Sequence, residues 1–172
     1  MASVRIRNGL DLEALAALDR ETGEVSSPAV QLEWVGGVEA VATISRRGCP
    51  DGAGHFVIRV DDTTRQLGSG AGPAPMELAA VALSAAFAQA YVVEATLADV
   101  PVDSLTISVQ AFDDGEPRTR TQWRIECTVD GDAPASVLRE FARRACGSLA
   151  VRRLTMRRPA VSIVKQTAGA AM

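Results

Sequence analysis

Residues 68–95 read GSGAGPAPMELAAVALSAAFAQAYVVEA, a loop holding three glycines and two prolines that runs into an almost wholly apolar segment. Three structures compete for such a stretch: a phosphate-binding turn before a nucleotide-binding helix, a membrane span, or the buried helix of another fold. The glycines fall as G-x-G-x-G, not G-x-G-x-x-G. Pro73 and Pro75 follow at once, no Gly-Lys-Ser/Thr is present, and the flanking segments read as hairpins instead of a βαβ unit. A phosphate cradle is not expected, and Pro75 suits the first turn of a helix. Leu78 to Val93 is apolar for 16 positions apart from Ser84 and Gln89, whereas a span needs about 20 apolar residues. From Met76 to about Ala98 nothing breaks the segment and it is too long for a strand. Its all-round apolarity predicts a helix buried on most sides.

Working outward, "NGLDLEALAALDRETG" carries leucines at 10, 12, 15 and 18, which predicts a short amphipathic helix with Asn8 as N-cap and Gly23 as its stop. "AVQLEWVGG" and "VEAVATISRR" flank Gly36–Gly37 and read as a hairpin, with "HFVIRVDD" a third strand. After the apolar helix, Leu105, Ile107, Val109 and Ala111 alternate along one strand, and Trp123, Ile125, Cys127 and Val129 along the next. "PASVLREFARRACGS" opens on proline, spaces Val137, Leu138, Phe141 and Ala145 helically, and stops at Gly147; "RPAVSIVK" is a last strand. The order is helix, three strands, buried helix, two strands, helix, strand. That is an α+β chain with antiparallel, hairpin-linked strands. A helical segment over 1–25, one main domain over 26–166 and a disordered tail over 167–172 are expected.

The 172 residues suffice for one domain with a real core. Hydrophobic content is 47%, and 18 basic against 21 acidic residues give a net charge of −3, so no global field calls for nucleic acid. The N-terminus mixes charges with leucines and carries no apolar core of a signal peptide, so a cytoplasmic protein is expected. Cys49, Cys127 and Cys146 form no paired framework, and with one histidine a zinc site has no support. No cofactor is implied. Seven arginines, Arg139, Arg143, Arg144, Arg152, Arg153, Arg157 and Arg158, crowd the last third without stacking aromatics, which suits a solvated helix face paired with acids better than a nucleic-acid groove.

"LGSGAGPAPMELAAVALSAAFAQAYVVEA" followed by "VPVDSLTISVQAFDD" resembles the OsmC/Ohr family of organic hydroperoxide reductases. One large subgroup of that family carries segments much like GPNPMELLLAALGAC and GI-x-VDSLEVEVEG. "EWVGGVEAVATI", "FVIRVDD" and "LREFARRACGSL" stand in the expected order, so the resemblance covers roughly residues 30 to 165. It implies an intertwined homodimer, with sheets from both chains wrapped around long central helices and an apolar active-site pocket at each interface. A second chain would then bury the rest of the apolar helix. The resemblance also implies a thiolate that attacks the peroxide bond and a second thiol that closes a disulfide. The resolving cysteine falls on Cys146, but the peroxidatic one falls on Ala86, which has no nucleophile. The glutamate that directly follows the loop proline in the peroxidase branch is here Met76, with Glu77 one step later; Arg46 or Arg47 would have to relay any influence of Glu77.

Peroxidase chemistry is therefore not expected. A pocket lined by Met76, Ala86, Phe87, Ala90, Arg46 and Arg47 would take a small apolar organic molecule. Two uses are open. One is a repurposed non-redox enzyme with Glu77 and Tyr91 as its acid/base pair (Glu94 and His55 are further candidates). The other is a binding protein that holds a hydrophobic ligand without turnover. A third, residual thiol chemistry, would run through Cys146.

Overall fold

The computed structural model describes residues 6–13, 15, 29–45, 55–112, 122–155 and 160–165. It divides into two compact units, Met1–Glu21 with Ala79–Met172, and Thr22–Leu78.

The larger unit carries the core. Strands β6 (Ser104–Phe112) and β7 (Gln122–Asp130) pair antiparallel, and β8 (Ala160–Lys165) pairs parallel to β7, giving the order β6-β7-β8. The parallel β8 departs from the all-antiparallel expectation. The chain between β7 and β8 holds two helices, a crossover long enough to return the chain in the same direction. Register makes apolar rows: Val109–Ile125–Val161 and Ile107–Cys127–Ile163 lie side by side on one face. Ile125, Cys127 and Val129 are fully buried, as their two-residue alternation requires.

Against this face pack helix α1 (Pro75–Leu97), helix α2 (Ala135–Gly147) and helix α3 (Leu149–Thr155), all contributing to one core cluster. On α1 the buried residues Leu83, Phe87, Tyr91 and Ala95 recur every four positions and make a single stripe. On α2 Leu138, Phe141, Ala142, Ala145 and Cys146 do the same work. Tyr91 meets Phe141 edge to face at 6.0 Å and 89° and lies 6.2 Å from Phe87, an aromatic chain joining the two helices.

The N-terminal prediction is corrected here. Asn8 does not cap a helix. It forms, with Gly9, the tip of a two-residue hairpin between β1 (Ile6–Arg7) and β2 (Leu10–Asp11). Both residues take left-handed backbone, with φ of 51° and 77°, as a turn of this hand demands. Helical backbone begins only at Leu12, where Asp11 Oδ1 accepts the Glu13 N–H at 2.9 Å and acts as the cap. The hairpin clamps the end of α1. That end is a Schellman closure: Val100 N–H donates to Ala95 O and Asp99 N–H to Thr96 O, with Asp99 at φ 57° in the place usually taken by glycine. Arg7 Nε donates to Asp99 Oδ1 at 2.8 Å. Asn8 Nδ2 donates to Thr96 Oγ1 at 3.2 Å and Val100 O at 3.0 Å, while Asn8 Oδ1 accepts from Val102 N–H at 2.9 Å.

The smaller unit is a meander of β3 (Ala29–Gly36), β4 (Glu39–Ser45) and β5 (His55–Val60). Its register lines up Val30–Ile44–Phe56, Leu32–Ala42–Ile58 and Trp34–Ala40–Val60, an apolar face three rows deep. Within the chain only Ala40, Ala42 and Val60 of these are buried, and Trp34 is 70% exposed.

Core and surface should separate cleanly in mutagenesis. Leu138→Ala, at a fully buried site, is expected to lower the unfolding free energy by about 2–5 kcal/mol. Arg139→Ala, on the exposed side of the same helix, should stay within about 0.5 kcal/mol. Urea unfolding measures both.

Candidate functional site

The glycine loop is organised by a side chain that the sequence reading passed over. Asp61, directly after β5, is 2% exposed. Its Oδ2 accepts from the Ser69 hydroxyl at 2.6 Å and from the N–H groups of Ser69 and Ala71 at 3.0 Å each; its Oδ1 accepts from Asp62 N–H at 2.8 Å. The Ser69 hydroxyl bond first, then those main-chain donors, hold this carboxyl well below the usual carboxylate range, against the opposing effect of burial. Gly70 N–H donates to Asp62 O and Asp61 N–H to Pro73 O, so the loop folds back on the strand end. It passes so close that a methyl group on Gly68 would strike the Asp62 carbonyl, and one on Gly72 the Arg59 carbonyl. The amides that a phosphate would need are spent on the chain's own carboxylate.

The loop then delivers the start of α1. Pro75 is the first helical residue, and Glu77 Oε2 accepts the Ala74 N–H at 2.8 Å. This is the reach-back half of a capping box. Glu77 is exposed and its carboxylate is occupied by helix initiation; Met76 beside it is also exposed.

Further along α1 the expected pocket residues separate into two groups. Phe87 and Tyr91 are fully buried in the core stripe, whereas Ala86 and Ala90 are partly buried at its edge. The Tyr91 hydroxyl donates to Leu138 O at 3.3 Å; burial first, and Cys127 second, push its pKa well above the ordinary value. A phenol held in that state is not a proton shuttle near neutral pH. The opposite side of α1 is apolar and open: Val81 is 64% exposed, with Ala82, Ala85 and Leu97 also exposed. Expected burial on most sides is thus met by the chain on one stripe only. By length and composition α1 would suffice to cross a membrane, yet its buried stripe is core.

Cys146, in the last turn of α2, and Cys127 are both buried thiols. Burial, with the proximity of Cys146 adding to it, pushes the Cys127 thiol up to about 12, so it is no thiolate near neutral pH. Arg46, Arg47 and Cys49 lie outside the described residues, as do Arg157 and Arg158. His55 opens β5. Among the other arginines, Arg143 and Arg144 both bond Glu140, holding its carboxyl down at about 2, and Arg144 also reaches Glu94 at 3.2 Å. Glu94 is therefore an ion-pair partner. Among the described residues no group of His, Cys, Asp and Glu is arranged to hold a metal ion.

Comparison with known proteins agrees with this architecture. The family described as OsmC-like protein matches residues 68–163, more than half of the chain. Many solved structures share the fold, three of which illustrate it. An OsmC-like protein from Mycoplasma pneumoniae is 11% identical, with a TM-score of 0.64 over 82% of this chain and 98% of that one. The organic hydroperoxide resistance protein OsmC of Legionella pneumophila is 11% identical, with a TM-score of 0.61 over 84% of this chain and 100% of that one. An OsmC-like protein of unknown function from Vibrio cholerae is 13% identical, with a TM-score of 0.60 over 83% of this chain and 100% of that one. No curated protein sequence matches the chain. The chain is a member of the OsmC-like protein family.

The Asp61 anchor has a pH signature. Its folded-state pKa lies below the ordinary 3.8, so its contribution is fully present above about pH 4 and drains away as pH falls toward the folded-state value. Wild type should exceed Asp61→Asn in urea midpoint at pH 7, by a margin that is smaller at pH 3. A margin unchanged between the two pH values would overturn this account of the loop.

Proposed function

We propose that this chain is a non-redox member of its family, a cytoplasmic homodimer that holds a small apolar organic molecule in an interfacial pocket without oxidising or reducing it. Alanine at position 86 carries the reading. A methyl group stands where the family resemblance calls for the attacking thiolate, and the two described thiols are buried. The acid/base enzyme reading loses its named groups, because Glu77 caps a helix and Tyr91 bonds a backbone carbonyl inside the core. Binding without turnover is what the remaining groups support: Ala86 and Ala90 offer small apolar surface at the edge of the core stripe. The open apolar side of α1 supports a second copy as its cover, which would also keep this helix out of a membrane. A nucleic-acid partner is not part of this proposal, and Arg143 and Arg144 of the arginine cluster are paired with Glu140 and Glu94.

Turnover of an organic hydroperoxide with a dithiol reductant, measured in parallel on wild type and Ala86→Cys, tests this. Wild type is expected to be inert and Ala86→Cys to gain activity, with Cys146 as its resolving partner. Turnover by wild type that is lost in Cys146→Ser would replace the proposal with thiol chemistry at Cys146.

A further inference from the structure

The chain has a single asparagine, Asn8, and it is followed by glycine. Chemically that dipeptide is the one most prone to self-attack, because glycine has no side chain to shield its nitrogen. We propose that Asn8–Gly9 is a fold-gated deamidation site whose conversion irreversibly releases the N-terminal hairpin from the end of α1.

The reaction needs nothing but water. The Gly9 main-chain nitrogen attacks Asn8 Cγ; a C–N bond forms as the bond from Cγ to Nδ2 breaks, and the displaced nitrogen leaves as ammonia with the Gly9 proton. Water then opens the cyclic imide to aspartate or isoaspartate. No electrons change hands.

The native contacts oppose the first step. For Cγ to meet the Gly9 nitrogen, the side-chain amide must leave Thr96 Oγ1, Val100 O and Val102 N–H together. Those partners fix which end of the amide is which. A main-chain N–H requires the oxygen and a main-chain carbonyl requires the nitrogen. The Thr96 hydroxyl donates its proton to Val92 O at 2.7 Å, so its oxygen is left to accept. The site is therefore shielded while the hairpin is docked and open when it frays.

After conversion the hairpin does not re-dock as before. An aspartate at position 8 has no N–H to give, so Thr96 Oγ1 and Val100 O would face a carboxylate. The isoaspartate product also inserts a methylene into the main chain of a two-residue turn, which breaks the Arg7↔Leu10 register.

The test incubates native wild-type chain at pH 8 beside the same chain unfolded in guanidinium chloride. Conversion at position 8 is followed by peptide mass, a gain of about one dalton, and by isoaspartyl methyltransferase labelling. The native rate should be roughly 100-fold slower, the factor that three hydrogen bonds of ordinary net strength correspond to. Thr96→Val, which removes one acceptor, should fall between. Deamidated chain separated by ion exchange should show faster amide exchange over residues 6–11 while β6, β7 and β8 keep their protection. Equal rates in the native and unfolded chains would overturn the gating; exchange over 6–11 unchanged after deamidation would overturn the release.

Discussion

A helix that is apolar all the way round has to be covered all the way round, and that demand on α1 governs the rest of the molecule. Leu83, Phe87, Tyr91 and Ala95 meet it on one side by packing into the cluster with β7 and α2. At about 25 cal/mol per Å² of apolar surface, leaving Val81, Ala82, Ala85 and Leu97 in water forgoes a large part of what so hydrophobic a sequence offers. The three-row apolar face of β3, β4 and β5 repeats the condition, since Val30, Leu32, Trp34 and Phe56 are exposed within the chain. Two uncovered apolar surfaces on one small chain are more than a monomer ordinarily tolerates.

The ends of α1 show how such a helix is started and stopped with polar groups that are almost all internal to the chain. At its beginning Glu77 takes the Ala74 N–H, and the preceding loop is held by Asp61. At its end Asp99 adopts the left-handed position without being glycine, and Arg7 and Asn8 secure the turn from a hairpin some 90 residues earlier in sequence. Among the described residues no buried side-chain nitrogen or oxygen lacks a partner. The loop that looks most like a ligand cradle turns its donors onto the chain's own carboxylate.

How much of this could be read from the sequence follows from the range of the interactions involved. The two-residue alternation of Trp123, Ile125, Cys127 and Val129 and the helical spacing of Leu138, Phe141 and Ala145 are local patterns with one good solution each, and the structure buries all of them except Trp123, which is partly buried at the edge of the cluster. Asn8–Gly9 is ambiguous locally, because the same dipeptide serves as a helix start or a hairpin tip. What decides it are hydrogen bonds to Thr96, Val100 and Val102, which no window around position 8 contains. The direction of β8 was equally out of reach, since "RPAVSIVK" reads the same whether it runs with or against β7. Asp61 left one usable trace: an acid closing a strand just before a loop rich in N–H groups that need an acceptor. Glu77 and Tyr91 carried chemistry by residue type alone, and their partners assign them to capping and packing.

The same distinction bears on what the scaffold can do. Peroxide chemistry requires a thiolate that is both deprotonated and approachable, and burial works against both at once. Cys127 illustrates the point: packed between Ile107 and Ile163 on the sheet, its thiol titrates at about 12. Ala86 occupies the contrasting environment, at the edge of the core stripe, where a small side chain is only partly covered. A side chain at that position is only partly covered, and this sequence places a methyl group there. Cys127 and Cys146, the cysteines among the described residues, are in the core. Ala86 and Ala90, at that edge, present methyl groups alone, which is what the proposed binding without reaction asks of them.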